Sequence, residues 1–97
     1  MLTSKQRAFL RGLANSIDTI VHLGKGGMSE QIIKQADDAI QKREIIKGKV
    51  LETCELSPKE AASEIAQAIN ADVVQVIGTK FILYRKNAKD PKITLPR

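Results

Sequence analysis

Hydrophobic residues recur along the chain with two spacings, one typical of helices and one typical of strands. The helical spacing of three and four residues marks residues 3–15, 29–43 and 57–70. The first of these segments opens with Thr3 followed by Gln6, and the third opens with Ser57 followed by Glu60. Each pair has the separation of a capping box, in which both side chains bond backbone amides at the helix start. Because Pro58 stands at the first helical position, the third helix has the clearest local signal.

Shorter runs of β-branched and aromatic residues predict strands over residues 17–23, 45–53, 73–77 and 81–85. The last run is apolar on both faces, because Phe81 and Leu83 alternate with Ile82 and Tyr84. A strand with two apolar faces is covered on both sides, so we expect it to lie in the centre of its sheet.

These elements follow one another in the order αβαβαββ. Strand–helix–strand connections favour parallel pairing with right-handed crossovers. Gly78 and Thr79 fit a two-residue hairpin turn, with glycine where a type II′ turn needs it, which adds an antiparallel pair. Gly48 marks a bulge or a close approach within the second strand. The sequence therefore predicts an α/β fold with one four-stranded mixed sheet and packed helices.

The length of the chain, 97 residues, fits a single domain, and we expect a monomer. We expect this domain to span residues 1–97 without an internal repeat or linker. From Asn87 onward the sequence is polar and contains Pro91 and Pro96, so residues 87–97 are predicted to form a loose tail.

Positive charge is concentrated in the two terminal parts of the chain. The whole chain has 16 basic and 11 acidic residues, which gives a net charge of +5. Residues 1–28 carry four basic residues and one acidic residue, and residues 73–97 carry six and one. With a pI near 9.6, this balance indicates a polyanionic partner. If the fold brings the two basic parts together, they form one positive face.

Other classes of protein find little support in the sequence. Cys54 is the single cysteine, so no internal disulfide forms, and we expect a cytoplasmic protein. No apolar run has the length of a signal peptide or membrane helix. His22 and Cys54 have no neighbouring ligands for zinc, and no nucleophile–base or acid–base arrangement is evident. We therefore expect no catalysis, no cofactor or metal, no membrane association and no small-molecule substrate.

The segment Gly24-Lys25-Gly26-Gly27 lies between a predicted strand and a predicted helix. A helix start offers unpaired amides and partial positive charge, and glycines let a phosphodiester backbone approach closely. Lys25 adds a mobile cation. The spacing is that of neither a Walker loop nor a dinucleotide fingerprint. The alternative is a flexible connection without a ligand.

Basic residues on neighbouring elements are candidates to extend this loop into an RNA-binding surface. They are Lys5, Arg7, Arg11, Lys80 and Arg85. Arg7 and Arg11 are four residues apart and share one side of the first helix, which is also what a solvated helix face looks like. Lys47 and Lys49 share one face of the second strand, where protection of an edge strand is an equally good explanation.

Aromatic residues are too few to form a base-stacking platform of the kind RNA-recognition sheets use. Phe9 and Phe81 are expected in the core, and Tyr84 is a weak candidate for contact with a base or sugar. Binding should therefore depend mainly on the RNA backbone and its shape.

Several segments taken together resemble the CRM domain, the chloroplast RNA splicing and ribosome maturation module. The bacterial stand-alone members of this family are the YhbY-like proteins. The matching segments are residues 2–7, 10–14, 21–27, 56–60, 76–78 and 81–85, so the resemblance spans residues 2–86.

The resemblance implies a fold similar to the C-terminal domain of bacterial translation initiation factor three. It also implies RNA binding through the G-x-x-G loop, as in KH domains. Gly24, Lys25, Gly26 and Gly27 correspond to that loop, with support from Arg7 and Arg11. Stand-alone members resemble factors that associate with precursors of the large ribosomal subunit, which makes precursor rRNA the expected partner. The alternative is a protein-interaction adaptor that docks on an acidic partner.

Overall fold

Seven elements follow one another through residues 2–96, the part of the chain that the computed structural model describes. They are helix α1 (Ser4–Ala14), strand β1 (Thr19–Leu23), helix α2 (Glu30–Arg43), strand β2 (Ile45–Val50), helix α3 (Pro58–Ile69), strand β3 (Asp72–Ile77) and strand β4 (Lys80–Tyr84). The predicted αβαβαββ order is confirmed. The largest difference is at the second strand, which was expected to reach Thr53 and ends at Val50. None of the three helices in this described part is long and apolar enough to cross a membrane.

Local hydrogen bonds begin α1 and α3 where the sequence predicts. The Gln6 amide donates to Thr3 Oγ1 at 3.1 Å, and the Thr3 amide donates to Gln6 Oε1 at 3.0 Å. Ser57 and Glu60 form the second capping box, with both distances at 3.1 Å. Hydrogen bonds from the backbone and the side chain of Ser57 hold the pKa of Glu60 below its ordinary value. Both capping boxes are therefore confirmed.

The strands form one sheet in the order β1-β2-β4-β3. Strand β1 pairs with β2 in parallel, and β4 pairs with both β2 and β3 in antiparallel orientation. The predicted four-stranded mixed sheet is therefore confirmed, and β4 is an interior strand as expected. The ends of β1 and β2 and the β3–β4 turn lie together, because Leu23 is paired with Val50, and Lys80 with both Lys49 and Ile77. We call this edge of the sheet the loop end.

Helices cover both faces of the sheet and divide the core into two clusters. On the α2/α3 face, buried side chains of both helices pack against β1, β2 and β4, and the partly buried Val73 of β3 packs against the same cluster. The buried residues include Leu23, Ile40, Ile46, Ile65, Phe81 and Leu83. On the α1 face, Leu10 and Ala14 pack with Ile45, Val74, Ile82 and Tyr84. Alternate residues of β4 thus enter different clusters, which confirms that this strand is covered on both sides.

Two glycines fit the sheet for different reasons. A Cβ on Gly48 would lie 2.2 Å from Phe81 Cζ, so the glycine makes room for the phenyl ring on the neighbouring strand. The close approach expected at this position is confirmed. Gly78 has a φ of 58°, while Thr79 is not among the residues with positive φ. That combination agrees with the predicted type II′ turn and excludes type I′.

The C-terminal segment differs from the loose tail that the sequence predicts. Glu44 is fully buried, and its carboxylate accepts hydrogen bonds from the backbone amides of Asn87, Lys92 and Ile93. Burial raises the pKa of Glu44, but these hydrogen bonds and the charge of Lys92 bring it below its ordinary value. Ile93 and Leu95 pack on the α1-face cluster. The segment has no helix or strand, yet it is attached to the domain at several points; Arg97 lies outside the described residues.

Candidate nucleic-acid interface

The glycine-rich segment forms a tight turn at the loop end. The Gly27 amide donates to the Gly24 carbonyl oxygen at 2.9 Å, which closes a β-turn around Lys25 and Gly26. Neither central residue has a positive φ, so the turn belongs to type I, in which glycine is favoured at the last position. Within residues 2–96, no acceptor is recorded for the Lys25 and Gly26 amides. The exposed tip therefore offers two amides and one cation to a ligand.

Only one of the loop glycines is required by the backbone conformation. Gly27 has a φ of 63°, which favours glycine, whereas a Cβ on Gly24 would lie 3.4 Å from Leu51 Cδ1, an ordinary contact distance. Gly26 has neither a positive φ nor any atom within 4 Å of the place that a Cβ would occupy. The fold alone gives no reason for glycine at position 26, whereas close approach of a ligand backbone does.

The start of α2 is separated from the turn and carries its own cap. Met28 and Ser29 lie between Gly27 and the helix, and Ser29 Oγ accepts from the Ile32 amide at 3.2 Å. Glu30 places a carboxylate in the first helical turn, where it compensates the positive end of the helix dipole. The amides available at this corner are therefore those of the turn rather than those of the helix start.

Three lysines lie on the α1 face of the sheet, near the same end. Lys47 and Lys49 share the side of β2 that carries Ile45, and Lys80 shares the side of β4 that carries Ile82. Strand β2 lies between β1 and β4, so edge-strand protection does not explain its lysines, and that alternative is wrong. Their alternation in the sequence was the available signal for a functional face.

A groove of about 300 Å³ separates the C-terminal part of α1 from this lysine-bearing face. We call it the basic groove; it is lined by Arg11, Gly12, Asn15, Lys47, Gln75, Ile77, Lys80 and Ile82. Three of these residues are cationic and none is acidic. Arg11 and Lys80, both predicted from the sequence, thus meet in one place. Lys47, Gln75 and Asn15 were not among the predicted site residues.

The structure separates the other predicted basic residues from the loop end. The Arg85 guanidinium lies beyond the opposite end of β4, where it bonds Asp37 at 2.6 Å and the Ile69 carbonyl oxygen at 2.7 Å. The Arg7 guanidinium donates to the Val73 carbonyl oxygen, which ties α1 to β3. Lys5 is exposed in the first turn of α1, one residue before Gln6, whose side chain bonds Pro96. Arg7 and Arg85 therefore stabilise the fold, and Lys5 lies apart from the loop.

The aromatic residues are distributed differently from the sequence prediction. Phe81 is fully buried as expected, but Phe9 is 40% exposed on α1, so its placement in the core was wrong. Tyr84 lies buried beneath α1 and the C-terminal segment, which removes it as a contact for a base. Burial and the nearby charges of Glu44 and Asp72 raise the pKa of Tyr84. The exposed apolar side chains closest to the loop end are instead Leu51, Val76 and Ile77.

A larger groove, of about 660 Å³, lies between α2 and α3 on the other face of the sheet. Its lining includes apolar Met28 and Ile33, but also both Glu30 and Asp37 beside Lys34. A mixed charge of this kind does not favour a polyanion. The smaller basic groove is therefore the better candidate for contact with nucleic acid.

Comparison with known proteins connects this geometry to a family. The family model described as the CRS1 / YhbY (CRM) domain matches residues 2–85. The chain is 38% identical to the Bacillus subtilis protein named "Probable RNA-binding protein YqeI", over 99% of this chain and 100% of that protein. It is 34% identical to a Haemophilus influenzae protein named "RNA-binding protein", over 99% and 96% of the two chains. The solution structure of SAV1595 from Staphylococcus aureus superposes with a TM-score of 0.82 at 44% identity, over 99% of this chain and 100% of that one.

Proposed function

Because the chain belongs to the CRS1/YhbY (CRM) domain family, we propose that it is an RNA-binding factor in the assembly of the large ribosomal subunit. It binds rRNA of the subunit precursor as a monomer in the cytoplasm and catalyses no reaction. The names of its relatives support RNA as the partner. The choice of precursor rRNA rests on the family resemblance alone.

One observation carries the proposal: the glycine turn and the lysine face lie at the same end of the sheet. The Leu51 amide donates to the Leu23 carbonyl oxygen at 2.7 Å, and the Val50 amide donates to the Thr79 carbonyl oxygen at 2.8 Å. These bonds connect the start of the glycine loop, the end of β2 and the β3–β4 turn. An RNA backbone seated on the loop therefore lies beside Lys49 and Lys80.

Backbone contacts supply most of the affinity in this arrangement. The turn amides and Lys25 bind phosphate oxygens, and the lysines of the α1 face release counterions from neighbouring phosphates. With Phe81 and Tyr84 buried, base stacking on aromatic rings contributes little. The surface therefore binds the RNA backbone strongly but discriminates weakly between base sequences.

Crosslinking in cells, followed by sequencing of the bound RNA, tests the proposed partner. We expect enrichment of large-subunit rRNA, which a variant carrying Lys25→Ala and Arg11→Ala loses. Lys42→Ala is the matched control, because this exposed lysine lies in the last turn of α2, at the far end from the loop. Enrichment of messenger or small-subunit RNA would reject the proposed role in large-subunit assembly.

Affinity purification with and without nuclease separates RNA binding from the adaptor alternative. We expect the bound ribosomal proteins to be lost after nuclease treatment, because RNA connects them to this chain. A partner protein that remains bound after nuclease, and that dissociates on Lys25→Ala, would favour the adaptor instead.

A further inference from the structure

Two rows of side chains cross the sheet at the basic groove, and all of them except Lys49 line it. In the first row, Lys47 and Gln75 flank Ile82, because both pair with it. In the second row, Lys49 and Ile77 flank Lys80 in the same way. Paired residues on neighbouring strands point to the same face, so these side chains all face α1.

Like charges stand directly opposite each other in the second row. Lys49 and Lys80 are cross-strand partners, so their positive charges repel each other when no ligand is bound. In residues 2–96 the recorded ion pairs join Arg85 with Asp37 and Lys92 with Asp90, and neither reaches the groove. No carboxylate of residues 2–96 therefore forms an ion pair with either lysine. Neighbouring phosphates of a bound RNA, one beside each ammonium group, would relieve the repulsion.

The groove also contains groups suited to a base rather than to a phosphate. Ile77 is 59% exposed and presents apolar surface at the side of the groove, and Ile82 lies buried at its floor. Asn15 and Gln75 contribute amides, which both donate and accept hydrogen bonds. Arg11, four residues before Asn15 on the same side of α1, adds a planar guanidinium. The cations suit the phosphate of a nucleotide, the apolar surface suits the faces of its base, and the amides suit the polar groups of its base and sugar.

We propose that the basic groove takes up one unstacked nucleotide of a single-stranded RNA whose neighbouring phosphates lie on the glycine turn. This inference rests on the proposed RNA binding and specifies its substrate as single-stranded. A volume of about 300 Å³ is at the small end of ligand sites and suits one nucleotide. The bases of a duplex are stacked and paired, so none is free to enter the groove.

A larger side chain at position 12 can fill the groove without the removal of any charged side chain. Gly12 lines the groove, and a Cβ there would meet no atom within 4 Å. Gly12→Leu therefore places a side chain at the groove while it favours the helix, and Gly12→Ala is the matched control with little added bulk. Circular dichroism and thermal melting establish that both variants fold.

Fluorescence of 2-aminopurine, placed in turn at each position of an RNA of about ten nucleotides, detects the unstacked base. Because binding depends little on sequence, the RNA occupies several registers. We therefore expect interior positions to brighten severalfold on binding wild type and Gly12→Ala, and no position to brighten with Gly12→Leu. Affinity for the single strand should fall about tenfold in Gly12→Leu and about threefold in Gln75→Ala, while binding of the same RNA annealed to its complement stays unchanged.

The outcomes separate this inference from the proposed function. If RNA binds through Lys25, but no position brightens and Gly12→Leu binds as wild type does, the nucleotide site is rejected and RNA binding stands. Tighter binding of the duplex than of the single strand also rejects it. If neither form of RNA binds, the proposed function itself fails.

Discussion

The salt dependence of RNA binding follows from the number of cations that the fold brings to the loop end. Five basic side chains lie on the turn, on the lysine face or in the basic groove: Arg11, Lys25, Lys47, Lys49 and Lys80. Each neutralised phosphate of a single strand contributes about −0.7 to the slope of log affinity against log salt, which gives about −3.5. Affinity should thus fall about a hundredfold between roughly 50 and 200 mM salt.

Single substitutions test the contribution of each cation. Lys80→Ala leaves four cations, so the slope should change to about −2.8, and affinity should fall for all sequences alike. Fluorescence anisotropy with a labelled single-stranded RNA, titrated at several salt concentrations, measures both quantities. Lys42→Ala has the same change in charge away from the surface and should retain the wild-type slope.

A slope that stays near −3.5 in Lys80→Ala would show that this lysine does not contact phosphate. The same result in Lys25→Ala would place the RNA elsewhere on the domain. A wild-type slope near zero would refute the backbone-dominated mode of binding altogether.

Four further substitutions test the fold and the loop. Gly48→Ala forces a methyl group against the Phe81 ring and should lower the free energy of unfolding, measured by urea denaturation, by about 3 kcal/mol. Part of this loss should be recovered when Phe81→Leu is added. If the losses of the two substitutions are additive, the contact is contradicted. Glu44→Gln should destabilise the domain by about 2 kcal/mol near neutral pH. Because the pKa of Glu44 is lower in the folded than in the unfolded protein, its carboxylate stabilises the fold above the unfolded pKa of about 4.3. This stabilisation is lost as the pH falls through the folded pKa. If wild type and Glu44→Gln lost equal stability in acid, Glu44 would be excluded as the cause of that loss. Gly26→Ala should leave the melting temperature unchanged and weaken RNA binding. Gly27→Ala, at a positive φ, should lower the free energy of unfolding by about 1 kcal/mol. If Gly26→Ala binds RNA with unchanged affinity, the RNA backbone does not approach closely at that position.

Elements with strong local signals were predictable from the sequence. Capping boxes at Thr3 and Ser57 are formed by residues three apart, so their hydrogen bonds need no knowledge of the rest of the fold. The two apolar faces of β4 likewise identified an interior strand, because each face must be buried against something. The parallel pairing of β1 with β2 followed from the helical connection between them.

The candidate site was predicted only in part. The glycine loop and Lys25 could be predicted, because these residues are contiguous in the sequence between a strand and a helix. The role of Arg85 was not, because its partner Asp37 lies 48 positions away and only tertiary packing brings the two together. Phe9 was misplaced for a similar reason: α1 buries only a narrow side, and which residues occupy it depends on the angle at which the helix crosses the sheet.

The sequence by itself determined which segments become helices and strands, where two helices start, and that positive charge accumulates in both terminal parts. These properties depend on neighbouring residues, whose chemistry acts over one or two helical turns. Only the tertiary structure decided which cations share a surface. Insertion of β4 between β2 and β3 places Lys80 opposite Lys49, and packing of α1 on that face brings Arg11 to the same groove. Such contacts join residues far apart in the chain, and sheet pairing fixes them through backbone hydrogen bonds that any sequence can make.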